Sequence, residues 1–378
     1  MEPITHFLTG ACMGRAGLNR KTALATATVT LAAEAPDIDV LGEFRNSVFG
    51  FEHHRGFTHS FLGLVPVCAL VIGIMYAIWR LRGRKLKDPK LPPRWGLLFF
   101  YAYLAGLSHI LLDYTNSYGV RPFWPFYERW FSWDIMFIIE PVLYALLLAG
   151  LLLPGLSSLI NEEIGARRKG PQGRLAATVA LIGVVAFWGV RDYEHRRAVN
   201  ALRARTYEGQ DPLRVSAYSV WGNPFEWNGV VETAGFFALM HVNSASPEVD
   251  PDDRMQIRYK PAETAVTLAA KKSNLGRIYL DWAAYPVTES QPLDSAETGY
   301  RVRFYDLRYQ DVSHSIGRSL GASVILDDKL NVVAEGFGTR IFRVGPRQSA
   351  TSGDAPRLLP GRAARLTLPR SRATIIND

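Results

Sequence analysis

Three closely spaced histidines form the part of this chain best suited to metal chemistry. His53, His54 and His59 lie in the segment His-His-Arg-Gly-Phe-Thr-His-Ser, and the whole chain of 378 residues has 8 histidines. Neutral imidazole is the commonest protein ligand for zinc and related metals. Gly56 would let the backbone turn so that His54 and His59 converge, and the planar fork of Arg55 suits a phosphate or carboxylate. This loop therefore predicts a metal site beside an anion-binding arginine.

Two further motifs and one isolated histidine offer ligands of the same class. His109 and Asp113 are four residues apart, so on a helix they lie on one face, a turn apart. Asp37 and Asp39 flank an apolar residue after a hydrophobic run, and such paired carboxylates bind metal ions or orient a histidine ligand. His6 lies near the start of the chain. The alternative interpretations are a structural His–Asp hydrogen bond, a helix end with two solvated acids, and a capping histidine.

Together these residues predict a mixed imidazole and carboxylate site. The predicted metal ligands are His6, Asp37, Asp39, His54, His59, His109 and Asp113. Such a set suits one or two divalent ions, with zinc first and manganese or iron as alternatives. In a hydrolytic site, we expect Asp37 and Asp39 to be ligands or bridging carboxylates, one of them serving as general base. Arg55 would hold a substrate anion.

The elements that must position these residues are long apolar stretches of membrane-crossing length. About 20 apolar residues cross the hydrocarbon core of a bilayer. The predicted spans are 61–79, 97–112, 135–160 and 175–190, and the shorter apolar stretches within 5–35 are predicted to form a helical hairpin. The alternative, a set of buried helices in a large soluble protein, is disfavoured because several such segments follow one another.

The distribution of basic residues predicts the orientation of these spans. Basic residues are concentrated between the first two spans and between the last two, so both loops should be cytoplasmic. The histidine loop, the segment after Asp113 and everything after Arg191 would then lie outside the cytoplasm. Arg191, Arg196 and Arg197, directly after the last span, argue against this orientation.

From Arg191 onward the pattern becomes that of a soluble domain. Residues 300–309 alternate as a half-buried strand does, 322–334 read as a hairpin, and 262–272 predict a helix. We therefore predict an α-helical polytopic membrane domain over 1–190, followed by a small α+β soluble domain over 191–344. The tail, 345–378, is rich in Pro, Arg, Ser and Gly and is predicted to be disordered.

Charge and cysteine content exclude two other kinds of site. The net charge of +8 comes mostly from arginines in loops and in the tail, and no basic stripe interleaved with aromatic residues predicts a nucleic-acid partner. Cys12 and Cys68 lie inside apolar segments, so they build neither a disulfide framework nor a cysteine-type zinc site.

The order of these motifs resembles a known family. A near-terminal His, then Pro-Asp-Ile-Asp, His-Arg-Gly-Phe-Thr-His-Ser and His-Ile-Leu-Leu-Asp, all within 1–160, is similar to the YdjM-like inner-membrane family of metal-dependent hydrolases. This resemblance implies a bacterial inner-membrane protein with hydrolase activity on a poorly defined substrate. A more distant likeness, through His109 and Asp113, is to the zinc phospholipase C and P1-type nuclease superfamily, whose members use an amino-terminal tryptophan ligand.

These observations predict a membrane-bound, metal-dependent hydrolase at the outer face of the inner membrane. Its partner would be the lipid bilayer, and its substrate a phospholipid or a lipid-linked phosphodiester. One alternative is a metal-binding transporter or sensor, which would need ligands deep within several spans. The other alternative is a scaffold in which the metal is structural and the domain after Arg191 binds a protein partner.

Overall fold

A computed structural model of the chain describes residues 1–82, 91–163, 173–293, 298–310, 320–338 and 340–343. The chain divides into two compact units. The first comprises Met1–Ala198, Ala217–Asn228 and Val242–Glu248, and the second comprises Val199–Ser216, Gly229–His241 and Val249–Asp378. The predicted fold class is confirmed, since a helical amino-terminal region is followed by antiparallel sheets. The domain boundaries proposed from the sequence stay predictions.

The first two helices form the hairpin that the sequence predicted. Helix α1 is Pro3–Arg15 and helix α2 is Ala25–Glu34. The Glu2 carboxylate accepts hydrogen bonds from the first backbone N–H groups of α1, which otherwise have no partner in the helix. A left-handed residue, Leu24, precedes α2.

Small residues let α1 and α2 approach closely. A Cβ atom added at Gly10 would lie 2.8 Å from Ala33 Cβ, and one added at Gly14 would lie 2.8 Å from Thr26 Cα. Glycines four residues apart present a groove along one helix face, into which a neighbouring backbone can fit. Gly14 therefore packs against the first turn of α2 and Gly10 against its carboxyl-terminal part, which leads directly into the segment carrying the paired aspartates.

Adding a methyl group in this groove should destabilise the hairpin. We expect Gly10→Ala to lower the free energy of unfolding by about 1–3 kcal/mol, because the added Cβ must displace α2 backbone. Gly73→Ala is the matched control, since nothing lies within 4 Å of a Cβ there and alanine favours helix. Thermal unfolding in detergent measures both variants. Equal midpoints for the two would contradict the close packing.

Among the residues that the structure describes, three helices are long and apolar enough to cross a membrane. They are α4 (Leu64–Arg82), α5 (Trp95–Thr115) and α7 (Arg174–Arg203). Helix α6 is Pro141–Glu163, and its apolar part, Pro141–Leu156, is shorter than those of the other three. The third predicted span, 135–160, therefore began before the helix does. Pro141 is the first residue of α6 because proline is favoured at that position and disfavours helical backbone just before it. Glu140, expected inside that span, precedes the helix.

Short elements connect these helices around the predicted ligands. A 3₁₀ segment, Ala35–Phe44, follows α2 directly and carries the Pro-Asp-Ile-Asp motif. Helix α3 is Ser47–His53, capped by the Asn46 side chain, and a 3₁₀ turn over Phe57–His59 leads towards α4. The sequence did not reveal these three short elements, because none of them is long enough to show a hydrophobic period.

The described part of the carboxyl-terminal region contains two antiparallel sheets. The strands are β1 (Arg214–Val220), β2 (Asn223–Glu232), β3 (Phe236–Asn243), β4 (Glu248–Val249), β5 (Gln256–Tyr259), β6 (Pro286–Pro292), β7 (Tyr300–Asp306), β8 (Ala322–Leu326), β9 (Val332–Phe337) and β10 (Arg340–Arg343). One sheet has the order β1-β2-β3-β4 with β5 paired to β3, and the other has the order β10-β9-β8-β7-β6. Helices α8 (Ala265–Lys271) and α9 (Asn274–Trp282) lie between β5 and β6 in the chain.

The predicted strands and helix of this region agree with these bounds. The alternating segment is β7, the hairpin is β8 and β9, and the helix is α8. The predicted disordered tail, 345–378, lies outside the described residues.

Candidate metal centre

Four side chains from three segments converge within the first unit. They are Asp37, His59, His109 and Asp113, and one ligand atom of each lies within 4.8 Å of the corresponding atom of every other. The 3₁₀ segment supplies Asp37, the 3₁₀ turn supplies His59, and the last two turns of α5 supply His109 and Asp113. Only the Asp37 side chain has appreciable exposure in this group, at 22 %, whereas the other three are fully buried.

The interatomic distances define a compact arrangement of nitrogen and oxygen atoms. The Nε2 atoms of His59 and His109 are 3.0 Å apart. Asp37 Oδ1 lies 3.3 Å from the first of these nitrogens and 3.4 Å from the second. Asp113 Oδ2 lies 3.3 Å and 3.5 Å from the same two nitrogens. The four atoms therefore face a common point.

Hydrogen bonds on the far side of each imidazole set its tautomer. His109 Nδ1 lies 2.6 Å from the Ala33 carbonyl oxygen, which can only accept, so Nδ1 carries the proton. His59 Nδ1 lies 3.1 Å from Asp39 Oδ2 and donates to that carboxylate. In this tautomer each ring presents a lone pair at Nε2 to the common point. The orientation of both rings is that of metal-bound histidines, whose other nitrogen donates to a carboxylate or carbonyl.

This arrangement fits a cation and is unfavourable without one. Two nitrogen lone pairs and two carboxylate oxygens face one another, and Asp113 Oδ2 is a buried oxygen with no hydrogen-bond partner among the described residues. Buried polar groups left in this state cost free energy, which a divalent ion offsets. Mixed nitrogen and oxygen donors suit zinc, manganese or iron.

Asp39 lies behind His59 and orients it. Besides His59 Nδ1, its carboxylate accepts from His54 Nδ1 at 3.1 Å, from the Arg55 backbone N–H at 2.8 Å and from the Thr58 hydroxyl at 2.9 Å. Burial by itself raises the pKa of Asp39, but hydrogen bonds from His54 and His59 outweigh this effect and hold the pKa well below its ordinary value. Asp39 is therefore an ionised acceptor that does not belong to the four converging side chains.

The two remaining predicted ligands also lie beside the group. The His6 ring stacks on His109 with centroids 3.7 Å apart, and neither of its nitrogens has a hydrogen-bond partner in the described part of the chain. Burial is the largest of the causes that lower the pKa of His6 well below its ordinary value. His54 packs edge-on against His59 and Tyr118 while it donates to Asp39.

The Arg55 side chain turns inward, whereas the sequence predicted that it binds a substrate anion. Its guanidinium Nη2 lies 2.9 Å from Asp113 Oδ1, and Nη1 donates to Asn116 Oδ1 and the Gly119 carbonyl at 3.2 Å and 3.3 Å. The residue has a left-handed backbone (φ 53°), which explains the inward turn of the chain after His54. Asp113 thus faces the common point with one oxygen and Arg55 with the other. The catalytic and ligand roles assigned to individual residues stay predictions.

Sequence reasoning missed three groups near the centre. The Ala33 carbonyl has no sequence signature, because any residue supplies a backbone carbonyl. Asn116 follows α5 without a motif around it. Glu34 ends α2 directly before the 3₁₀ segment; burial and then the charge of Asp37 raise its pKa to about 7. A lone acid at the end of an apolar helix was the only signal that could have revealed Glu34.

Comparisons with known proteins agree with the arrangement of the first unit. The model of the YdjM inner membrane protein family matches residues 1–198. YfhP of Bacillus subtilis (strain 168), described as an uncharacterized protein, is 23% identical over 331 residues, which are 83% of this chain and 88% of that protein. No solved structure gives a significant match. Since the family model covers more than half of the chain, including all four converging side chains, the chain belongs to the YdjM inner membrane protein family.

Proposed function

We propose that this protein is a membrane-bound hydrolase that depends on one divalent metal ion held by Asp37, His59, His109 and Asp113. The observation that carries the proposal is the convergence of four acceptor atoms whose rings are already oriented by Asp39 and Ala33. A bound ion of this class supplies Lewis acidity, which polarises the bond under attack and makes water a better nucleophile near neutral pH. Zinc is the first candidate.

One ion fits this group better than two. A second ion would need further donors close to the first, and Asp113 is the carboxylate placed to bridge two ions. Its Oδ1 atom is already paired with the Arg55 guanidinium, a fixed positive charge that repels a second cation. The contribution of Arg55 is therefore to fix the orientation of Asp113 and to limit the site to one ion.

Different residues of the chain have different roles in this hydrolase. His59 and His109 hold the ion, and Asp39 and the Ala33 carbonyl keep their rings in place. Of the two aspartates considered as general base, Asp39 is occupied by its donors, so Asp37, the more exposed one, is the better placed. The same exposure makes the Asp37 side the route by which substrate reaches the centre.

The position of the ligands supports a substrate that is attached to the membrane. His109 and Asp113 lie at one end of a candidate membrane helix, α5. We propose that the centre lies at the outer face of the inner membrane, since the basic loops predict the opposite end of that helix in the cytoplasm. A phospholipid or a lipid-linked phosphodiester is the proposed substrate.

A second candidate function is a scaffold with a structural metal. The observation that favours it is the complete burial of His59, His109 and Asp113, because structural metal sites are closed. The partial exposure of Asp37 favours the hydrolase instead, because water and substrate can reach the centre from that side.

Metal content and metal-dependent turnover test the proposal together. We expect the detergent-purified protein to carry about one equivalent of divalent metal, and to hydrolyse a phosphodiester or lipid substrate only while the ion is bound. Elemental analysis, removal of the ion with a chelator and its restoration measure both expectations. Absence of bound metal, even after reconstitution with zinc, manganese or iron, would overturn the proposal. Bound metal without turnover on any of these substrates would favour the scaffold.

A further inference from the structure

The 3₁₀ segment that carries Asp37 exposes large apolar side chains on its outer side. Asp37 and Asp39 point towards the metal centre, whereas Ile38, Leu41 and Phe44 are exposed, Phe44 to 88 %. Contiguous exposed apolar side chains on a soluble surface mark a binding or membrane-contacting site. Asp37, the partly exposed ligand of the centre, thus lies in the sequence among exposed apolar side chains.

A second group of exposed apolar side chains lies in the segments next to the 3₁₀ segment. Phe57 begins the 3₁₀ turn that supplies His59, and this turn packs against the 3₁₀ segment. The Phe57 ring contacts Trp124 with centroids 5.6 Å apart. That contact ties the turn to the loop after α5, where Phe126 is 86 % exposed. The 3₁₀ turn and the loop after α5 therefore also present exposed aromatic side chains.

This surface is continuous with the lipid-facing side of a membrane helix. The chain runs from Phe57 through Phe61 into α4, and the Phe61 ring contacts Phe123 of the loop at a centroid distance of 5.4 Å. Helix α4 exposes Val65 and Leu70, as a membrane span must. No charged residue interrupts the sequence between Phe57 and Leu70.

We propose that an apolar rim, comprising Ile38, Leu41, Phe44, Phe57, Phe123 and Phe126, is inserted into the lipid bilayer, so that the opening of the metal centre faces lipid. The occupant is the bilayer itself, because the rim continues the lipid-contacting surface of α4. Exposed aromatic side chains are typical of the boundary between headgroups and acyl chains. Only the substrate part of this proposal rests on the proposed function: an anionic amphiphile would enter the centre from the bilayer beside Asp37.

Arginines near the rim have the geometry expected at a headgroup layer. The Arg45 guanidinium lies over the Phe49 ring at 4.5 Å, and the Arg121 guanidinium lies over the Trp130 ring at 4.5 Å. Arg121 also donates to the Glu52 carbonyl oxygen, whereas the exposed Arg45 side chain buries its apolar stem while its charged end reaches phosphate and water. The rim therefore joins an apolar surface to cationic groups, which is complementary to a phospholipid with its negative phosphate.

The depth of single labelled positions tests the rim without any assay of activity. Cys12 and Cys68 are buried and are replaced by alanine, and an environment-sensitive fluorophore is attached to Phe44→Cys or Phe126→Cys of the full chain in phosphatidylglycerol–phosphatidylcholine vesicles. We expect quenching by lipids with a nitroxide near the headgroup to be several-fold stronger than at Tyr259→Cys on strand β5. Leu70→Cys on α4 is the membrane reference, and iodide reports exposure to water.

Each outcome of the labelling decides the proposal. Strong quenching by nitroxide lipid with weak quenching by iodide, at both positions, supports the rim. Quenching by iodide, as at Tyr259→Cys, would show a water-facing surface and overturn it. Protection from both quenchers would indicate a protein partner or a second copy of the chain, and would overturn it as well.

A separate measurement tests the route of the substrate. The double variant Phe44→Ser/Phe126→Ser should keep its metal content and its turnover of a soluble short-chain phosphodiester, but should lose several-fold in turnover of the same headgroup presented in vesicles. Equal loss on both substrates would overturn the route from the bilayer. If the wild-type protein hydrolyses neither substrate, the proposed function fails, and the labelling still decides whether the rim contacts lipid.

Discussion

Replacing His59 with alanine should lower turnover by about 10³-fold or more while the protein still inserts into the membrane. The ring supplies one of the four atoms at the common point, and losing a bound ion removes several kcal/mol of transition-state stabilisation. His53→Ala is the matched control: this neighbouring histidine is exposed, its Nδ1 interacts with the Phe49 carbonyl, and it should be dispensable.

Thermal unfolding distinguishes a catalytic ion from a structural one in the same experiment. The metal-free wild-type protein holds four converging acceptors without a cation, so removing one of them should leave the metal-free state no less stable. The wild-type protein should therefore be more stable than His59→Ala only when the ion is bound. A His59→Ala protein that fails to insert, or that is less stable than the wild type when both are metal-free, would favour the scaffold. Elemental analysis confirms the loss of the ion.

Replacing Arg55 with methionine should lower the free energy of unfolding of the metal-free protein by about 1.5–3 kcal/mol. The Arg55 guanidinium is buried against Asp113 Oδ1, which the Met1 ammonium also contacts, so the substitution removes one of two positive partners of a buried carboxylate. Arg129→Met is the control, because Arg129 lies over the Phe131 ring at 5.9 Å near the surface and should change stability by about 0.5 kcal/mol or less.

A double-mutant cycle identifies the partner of Arg55. In metal-free protein, adding Asp113→Asn to Arg55→Met removes the carboxylate that has lost its guanidinium partner, so the two losses of stability should be clearly less than additive. Additive losses in the midpoint of thermal unfolding would mean that Arg55 acts through Asn116 or the loop and not through Asp113. The same cycle separates this positioning role from the direct binding of a substrate anion, which would affect the KM and leave stability unchanged.

Local patterns predicted the parts of the site that depend on regular structure. His109 and Asp113 were expected on one helix face because of their four-residue spacing, and α5 places them so. The uncharged runs predicted α4, α5 and α7 to within a few residues at the end that begins each helix. Helix α7 extends beyond the end of the predicted span 175–190, because its last turns are polar and a span is recognised by its hydropathy.

The irregular parts of the site could not be predicted in the same way. Asp37 and Asp39 are equivalent in the sequence, yet the 3₁₀ segment directs one to the common point and the other to the back of His59. His54 and His59 were expected to converge, and the left-handed residue Arg55 lies between them. His54 contacts Asp39, whereas His59 Nε2 faces the common point. Such differences depend on backbone geometry over two or three residues, which composition and spacing do not specify.

The hydrogen bond from His109 to the Ala33 carbonyl has a consequence for the biosynthesis of this protein. The ring of a helix made later is aimed by the backbone of a helix made earlier, so the ligands assemble only after α5 has been inserted and has docked on α2. A nascent chain that ends before His109 holds two of the four donors and cannot form the complete site. The complete set of four side chains therefore exists only after α5 has docked on α2.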